Sequence, residues 1–226
     1  MSDSPVTRDS LDSDSRLRVH EVFYSIQGES RPAGCRTVFI RLTGCPLRCQ
    51  YCDTEYAFQG GDWQTIEQLV AGISQYQSRY VCVTGGEPLA QPNCRALLTA
   101  LSDAGYDVSL ETSGALSIEN IDPRVTVVMD IKTPGSGEMA RNHLPNLSLL
   151  TGEDQLKFVI CNRDDYLWSR SFLEEHDLAA SCTVLFSPSQ PELEARDLAE
   201  WILADHLPVR FQVQLHKYLW GDEPGH

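Results

Sequence analysis

Basic residues are scarce in this 226-residue sequence: 18 lysines and arginines stand against 32 aspartates and glutamates, for a formal net charge of −14. Contact with a nucleic acid backbone requires clustered lysine and arginine, so a chain this acidic is a poor candidate for such binding. We therefore expect no nucleic acid partner. A small anionic substrate is still compatible with the composition, because a few cations that converge in one pocket can override the net charge.

Long apolar runs are missing as well. No stretch approaches the roughly 18 consecutive apolar residues that span a bilayer, so we expect no membrane contact. Residues 1–17 are rich in serine and aspartate and lack the apolar segment of a secretory signal. We interpret them as a disordered acidic leader, followed by a single domain over residues 18–226 in a cytoplasmic protein.

Cysteine, in contrast, is well represented. In a reducing compartment an even number of cysteines is poor support for disulfides, and closely spaced cysteines more often bind metal. The eight cysteines occupy positions 35, 45, 49, 52, 82, 94, 161 and 182. The close spacing of those at 45, 49 and 52 makes this segment the candidate metal site.

Apolar and β-branched runs predict eight strands, and helical periodicity predicts four helices. The strands are expected near Val19–Tyr24, Thr37–Leu42, Tyr80–Thr84, Asp107–Glu111, Val125–Ile131, Leu156–Ile160, Thr183–Phe186 and Arg210–Gln214. The helices are expected near Thr65–Gln75, Asn93–Ala104, Asp164–His176 and Pro191–Asp205. Because strands and helices largely alternate with short connections, the predicted fold is α/β, a partial, open parallel α/β barrel of about six βα units. Periodicity alone is equally compatible with a doubly wound open sheet.

The loop Gly44-Cys45-Pro46-Leu47-Arg48-Cys49-Gln50-Tyr51-Cys52 follows the second predicted strand. Three thiolates at this spacing can surround one compact centre of a soft metal. In a 4Fe–4S cluster, three cysteine ligands leave the fourth iron open to another ligand. The alternative is a structural zinc site, with Cys35 or a distant histidine as the fourth ligand.

A second motif favours the cluster. The segment Val83-Thr84-Gly85-Gly86-Glu87-Pro88 ends another predicted strand, where glycine lets the backbone approach a ligand closely. The two motifs in this order resemble those of the radical S-adenosylmethionine (SAM) superfamily. The resemblance implies a radical SAM fold, a 4Fe–4S cluster on Cys45, Cys49 and Cys52, and SAM bound to the open iron as the source of a 5′-deoxyadenosyl radical.

A narrower resemblance lies around these motifs. The segments Glu21–Ser30, Phe39–Cys45 and Cys52-Asp53-Thr54 are similar to those of the 7-carboxy-7-deazaguanine synthases of queuosine biosynthesis, and the similarity runs from about Val19 to Trp220. It implies a carbon–nitrogen lyase that converts 6-carboxy-5,6,7,8-tetrahydropterin to 7-carboxy-7-deazaguanine with loss of ammonia, with magnesium assisting. It also implies a homodimer and a flavodoxin-like electron donor.

The resemblance, together with the polar residues at predicted strand ends, assigns residues to each ligand, and no catalytic side chain beyond the cluster and SAM. Substrate contacts are expected from Ile26, Gln27, Gly28, Glu29, Arg41 and Thr84. SAM contacts are expected from Tyr51, Asp53, Gly86, Glu87, Ser113, Asp130, Ile131, Lys132, Ser187 and Gln190. Thr54 is the expected magnesium ligand, and Arg41 carries the planar guanidinium that suits a carboxylate.

Two other functions are open at this point. A radical SAM activase, which forms a glycyl radical on a partner protein, shares the cysteine loop and the Gly-Gly-Glu-Pro segment. The Gln27-Gly28-Glu29 stretch and Arg41 favour a small carboxylated substrate over that function. From a different class, the chain could be a non-enzymatic, zinc-stabilised binding module, which a colourless protein with zinc and no iron would indicate.

Overall fold

The computed structural model describes residues 15–221, 223 and 225. Nine strands form one sheet in the order β3-β1-β2-β4-β5-β6-β7-β8-β9. The strands are β1 (Arg16–Ile26), β2 (Arg36–Leu42), β3 (Asp62–Thr65), β4 (Tyr80–Gly85), β5 (Asp107–Thr112), β6 (Thr126–Ile131), β7 (Gln155–Ile160), β8 (Thr183–Pro188) and β9 (Arg210–Phe211). The helices are α1 (Ile66–Ile73), α2 (Cys94–Asp103), α3 (Arg163–Glu175), α4 (Leu178–Ser181), α5 (Ala195–Ala204) and α6 (Leu215–Trp220).

The sheet is open and largely parallel, as predicted. Strand β1 pairs antiparallel with β2 and β3, whereas β2 and all strands from β4 to β9 run parallel. Six parallel connections result, and four of them contain α-helices. The connections from β5 to β6 and from β6 to β7 contain only turns and short 3₁₀ segments.

Alternation along the strands separates a packed face of the sheet from a polar one. On β2, Val38 and Ile40 are fully buried in the hydrophobic core, where Leu97 and Leu98 of α2 also lie. Their neighbours Phe39 and Arg41 line a cavity. Because side chains of a strand point alternately to opposite faces, strands β2, β4, β5, β6 and β7 each contribute residues both to the core and to the cavity.

The loop after β1 bridges the two ends of this open sheet. The backbone N–H of Ser30 donates to Gln212 Oε1 (2.6 Å), and Gln212 Nε2 donates to the Ser30 carbonyl (3.0 Å). The N–H of Leu215, at the start of α6, donates to the Gly28 carbonyl (3.0 Å). A loop, not a further strand pair, therefore spans the gap between β1 and the C-terminal end of the sheet. We call residues 27–30 the closing loop.

The predicted bounds need three corrections. Strand β1 begins at Arg16, and Leu17 is fully buried, so the expected boundary between leader and domain at residue 17 is placed too late. Residues 1–14 of that leader lie outside the described residues. Strand β3 was not predicted, because Asp-Trp-Gln-Thr has no apolar alternation and forms by pairing with β1. Pro191 is not in the first turn of a helix: α5 begins at Ala195, after a turn in which the Leu193 N–H donates to the Ser189 carbonyl.

Within the part of the chain that the structure describes, no helix is both long and apolar enough to cross a membrane.

Candidate active site

A cavity of about 250 Å³ opens at the carboxyl ends of the parallel strands. This is the edge at which ligands collect in α/β folds, because the loops that follow the strands meet there. The three cysteines of the predicted cluster loop line the cavity together with side chains from β1, β2, β4, β5, β6 and β7. Sixteen of the residues expected to bind the cluster, SAM, the substrate or magnesium are in the lining: Ile26, Gln27, Gly28, Glu29, Arg41, Cys45, Cys49, Tyr51, Cys52, Asp53, Thr54, Thr84, Gly86, Ser113, Asp130 and Lys132.

The cysteine loop presents three free, partly buried thiols to the cavity. Burial raises the pKa of all three, and that of Cys49 to about 11, so the thiolate form needs a bound cation to stabilise it at neutral pH. Within the described residues no three histidine, cysteine or acidic side chains form a ligand set for a single metal ion. The cysteines of a 4Fe–4S cluster bind different irons, and three thiols on one cavity wall suit that donor set.

Gly86 packs directly over the cysteine loop. Its N–H donates to the Leu42 carbonyl (3.2 Å), and the next N–H, of Glu87, donates to the Gly44 carbonyl (2.7 Å). A side chain at position 86 would collide with the Gly44 carbonyl and with Cβ of Cys45. Only glycine therefore lets the end of β4 lie against this loop.

Glu87 lies outside the cavity lining, in contrast to the SAM contact expected of it. Its carboxylate is fully buried and accepts hydrogen bonds from Leu89 N (2.9 Å), Thr112 Oγ1 (2.9 Å) and Ser113 N (2.7 Å). These bonds join the end of β4 to the end of β5. Glu87 therefore holds Ser113 in the cavity wall and does not itself face the cavity.

Three further residues expected at SAM are not in the lining either. Ile131 is part of the hydrophobic core, and Ser187 is buried with a hydroxyl that has no hydrogen-bond partner among the described residues. Gln190 is exposed. Ser189, between Ser187 and Gln190 in the sequence, does line the cavity, and its hydroxyl donates to Glu192 Oε2 (2.9 Å).

The side chains expected to contact the pterin edge converge on Glu111, the last residue of a predicted strand. Gln27 Nε2 lies 3.5 Å from Glu111 Oε1, and Thr84 Oγ1 donates to Glu111 Oε2 (3.1 Å). Burial raises the pKa of Glu111 above its ordinary value of 4.5. The amide of Gln27, the hydroxyl of Thr84 and the carboxyl group of Glu111 lie side by side and offer the paired donors and acceptors that a pterin edge requires.

Opposite charges line the neighbouring strands β6 and β7. Asp130 and Lys157 are direct neighbours in the parallel register, and Lys132 Nζ lies 3.0 Å from Asp130 Oδ2. Burial alone would raise the pKa of Asp130, but Lys132 and Lys157 outweigh it and lower that pKa. Burial alone would lower the pKa of Lys157, but Asp130, Glu29 and Glu111 raise it well above its usual range. Both side chains are therefore charged at neutral pH.

Two polar atoms in the cavity wall are buried without a hydrogen-bond partner among the described residues: the Tyr51 hydroxyl and Oδ1 of Asp130. Asp130 Oδ1 is 3.5 Å from Lys157 Nζ, which is an ion pair but not a hydrogen bond. Buried polar groups are normally satisfied, so these atoms fit a polar ligand such as SAM.

The C-terminal segment forms the last wall of the cavity, with Gln214, His216 and Lys217 in the lining. Gln214 Nε2 donates to Glu29 Oε1 (2.7 Å), and Lys217 Nζ lies 3.1 Å from Asp53 Oδ2. Asp53 also accepts a hydrogen bond from the Thr54 hydroxyl (2.7 Å). Burial would raise the pKa of Asp53, but Lys217 and this hydrogen bond lower it, so an anionic carboxylate lies beside the expected magnesium ligand.

Comparison with known proteins agrees with this geometry. Residues 39–131 match the model of the radical SAM superfamily. A 7-carboxy-7-deazaguanine synthase from Chlorobaculum tepidum is 43% identical over 216 residues, covering 94% of this chain and 98% of that protein. One from Koribacter versatilis is 37% identical over 222 residues, covering 92% of this chain and 98% of that protein.

The fold also matches a solved structure. The crystal structure of QueE from Escherichia coli superposes with a TM-score of 0.75 at 22% identity, covering 94% of this chain and 100% of that one. This match confirms the predicted open, radical SAM type of α/β fold. By its sequence, its fold and the cysteine-lined cavity, the chain belongs to the 7-carboxy-7-deazaguanine synthase family of radical SAM enzymes.

Proposed function

We propose that the protein converts 6-carboxy-5,6,7,8-tetrahydropterin to 7-carboxy-7-deazaguanine with loss of ammonia, as a step of queuosine or other 7-deazapurine biosynthesis. One observation carries the proposal. One cavity of about 250 Å³ contains three kinds of group: the three cysteine thiols, the guanidinium of Arg41, and the polar side chains of Gln27, Thr84 and Glu111. A pterin that carries a carboxylate needs a cation for the carboxylate and hydrogen-bonding groups for its ring edge in the same place.

When bound, the cluster and SAM supply a 5′-deoxyadenosyl radical. The side chains of this chain bind and orient the reactants. Arg41 binds the substrate carboxylate, and Gln27 with Glu111 binds the pterin edge. Lys132 and Asp130 bind SAM, whose amino acid part carries both charges. Phe23, Phe39 and Tyr56 line the same cavity and exclude water from it.

Magnesium is part of this proposal. Thr54 supplies a hydroxyl oxygen at the cavity wall, next to the carboxylate of Asp53. Hard cations of this kind are bound by few protein oxygens and complete their shell with water and substrate oxygens. We expect Thr54→Ala to lower turnover and its response to magnesium while the iron content stays unchanged. A normal magnesium response in this variant would reject Thr54 as the ligand.

We further propose a flavodoxin-like protein as the electron donor and a homodimer as the assembled state. Light scattering of the purified protein tests the dimer. Reduction of the cluster by a reduced flavodoxin, compared with dithionite, tests the donor.

The experiment that tests the function is an anaerobic assay. The reconstituted protein is incubated with SAM, reductant, magnesium and 6-carboxytetrahydropterin, and products are identified by mass spectrometry. We expect 7-carboxy-7-deazaguanine, and no product from Cys49→Ala. Cleavage of SAM to 5′-deoxyadenosine without deazaguanine would reject the substrate and leave a radical SAM enzyme of another kind, the glycyl-radical activase included. A protein with zinc and no iron would support the binding module.

A further inference from the structure

Lysine is confined to one place in this protein. The sequence has three lysines among its 18 basic residues, at positions 132, 157 and 217, and all three line the cavity. Each one forms an ion pair with a carboxylate of the cavity wall. Among the described residues, Lys132 and Lys217 each show an ion pair with one carboxylate, whereas Lys157 shows ion pairs with two.

The two partners of Lys157 come from opposite walls of the site. Its Nζ contacts Glu29 Oε2 at 2.5 Å and Asp130 Oδ1 at 3.5 Å, and the Lys157 side chain is 11% exposed. Glu29 is in the closing loop, 128 residues earlier in the chain and beside the pterin reader Gln27. Asp130 is the penultimate residue of β6, and its other oxygen is paired with Lys132. Lys157 is thus a direct, charged link between the substrate side and the SAM side.

The placement of this charge is costly unless both carboxylates are present. Lys157 lies between Leu156 and Phe158, which are fully buried in the core on the other face of β7. A buried ammonium is tolerated only when it is paired and hydrogen-bonded. A lysine suits the position better than an arginine, because its compact ammonium carries three donors at one point and can serve two acceptors from different directions.

Glu29 is oriented by more than this ion pair. Gln214 Nε2 donates to its other oxygen, and its own N–H donates to Gln27 Oε1 (3.2 Å). A shift of Glu29 would therefore move Gln27, which faces Glu111. Through Lys157, such a shift is tied to the position of Asp130.

We propose that Lys157 is a positioning residue that couples the two halves of the site, so that the closing loop and the SAM-side end of β6 take up their working positions together. The coupling itself needs only SAM and the protein. The identity of the second ligand as a carboxylated pterin rests on the proposed function.

Hydrogen exchange of the reconstituted protein, measured with and without SAM, tests this coupling. In the native protein we expect SAM to slow amide exchange at residues 130–133 and also in the closing loop. In Lys157→Met, exchange without SAM should rise at least about tenfold in both segments, and SAM should then slow only residues 130–133. Arg79→Met is the matched control, because its ion pair with Asp107 is exposed and neither residue is part of the cavity lining.

A second variant covers the case in which Lys157→Met does not fold. Glu29→Gln keeps the Lys157–Asp130 pair, so we expect faster exchange in the closing loop alone and no effect of SAM there. Retained slowing of the closing loop by SAM in either variant would overturn the proposal. So would a change in Lys157→Met that is confined to residues 130–133.

Kinetics separate this role from a simple loss of packing and from a failure of the proposed substrate. Lys157→Met should raise the KM for SAM and the KM for the pterin together, each by about fivefold or more. A rise in only one of them would contradict coupling. If the native protein forms no deazaguanine but the exchange pattern holds, the substrate assignment fails and the role of Lys157 stands.

Discussion

Arg41 and Glu21 face each other across the antiparallel pair of β1 and β2, and Arg41 Nε donates to Glu21 Oε1 at 2.7 Å. The Tyr56 hydroxyl donates to the same oxygen (3.0 Å), and both charged side chains are largely buried. The guanidinium is therefore held in one orientation before substrate binds, which lowers the entropy that binding costs.

Arg41→Lys should impair substrate binding without loss of the cluster. An ammonium cannot reproduce the fixed, planar fork that binds a carboxylate, and the lost charge-assisted hydrogen bond is worth about 1.5–3 kcal/mol. We expect the KM for the carboxylated pterin to rise about tenfold or more and the KM for SAM to stay unchanged. Steady-state kinetics check this, with Arg79→Lys on the exposed surface as the control. Equal KM values for the native protein and Arg41→Lys would remove Arg41 from the substrate site.

Gly86→Ala should damage the cysteine loop. The added methyl group would meet the Gly44 carbonyl and Cβ of Cys45, which are backbone and near-backbone atoms that cannot move independently. We expect reduced iron retention after reconstitution and loss of SAM binding. Gly72→Ala is the matched control, since nothing lies within 4 Å of a Cβ at this position of α1. That variant should be more stable by roughly 0.5–1 kcal/mol, because alanine favours a helix over glycine. Full iron and SAM binding in Gly86→Ala would contradict the packing described here.

Glu87→Gln tests whether this carboxylate supports the structure and does not bind SAM directly. The carboxylate accepts hydrogen bonds from Leu89 and Thr112 on one oxygen and from Ser113 on the other. The amide of glutamine has only one acceptor oxygen, so it cannot accept all of them. We expect the free energy of unfolding to fall by about 1–3 kcal/mol, measured by urea denaturation. The exposed Glu119 provides the control substitution Glu119→Gln. A Glu87→Gln variant with native stability and weakened SAM affinity would show that Glu87 contacts SAM after all.

Glu111→Gln should remove a pH dependence of stability. Burial raises the pKa of Glu111 in the folded chain above its ordinary value of 4.5, so the folded state binds more protons than the unfolded state between these two values. The stabilisation of the folded state that comes from protonated Glu111 is therefore complete below pH 4.5, and it is lost as the pH rises through the pKa of Glu111 in the folded chain. We expect Glu111→Gln to be more stable than the native chain at neutral pH, and the difference to shrink toward acid pH. Chemical denaturation at several pH values measures this. A stability difference that does not change with pH would contradict the raised pKa.

The sequence was sufficient for most of the strands and for the cysteine loop, because both are local patterns. Alternation and β-branched runs located eight of the nine strands, and the spacing of Cys45, Cys49 and Cys52 located the cluster loop. Strand β3 escaped because its four residues carry no apolar pattern and are fixed by pairing with β1. The start of α5 was misplaced because Pro191 also suits the turn that precedes the helix.

The cavity walls were harder to predict, since they depend on contacts between distant parts of the chain. The sequence around Glu87 is compatible with a contact to SAM and equally with a hydrogen bond to the Ser113 backbone N–H. Only the structure distinguishes these two roles. Lys157 did leave a signal: a lysine between apolar residues of a buried strand requires a charged partner. Its partners Glu29 and Asp130 could not be named, because the pairing depends on the closing loop reaching across the open sheet.

The most direct test of the central claim is an isotope-transfer experiment with 6-carboxytetrahydropterin deuterated at C6. We propose that the 5′-deoxyadenosyl radical would take the hydrogen from C6 of a pterin held beside SAM, and that SAM would be regenerated in the same turnover. Deuterium should then be found in SAM recovered after turnover, together with 7-carboxy-7-deazaguanine. Unlabelled SAM recovered alongside the deazaguanine, or SAM consumption without that product, would contradict the account.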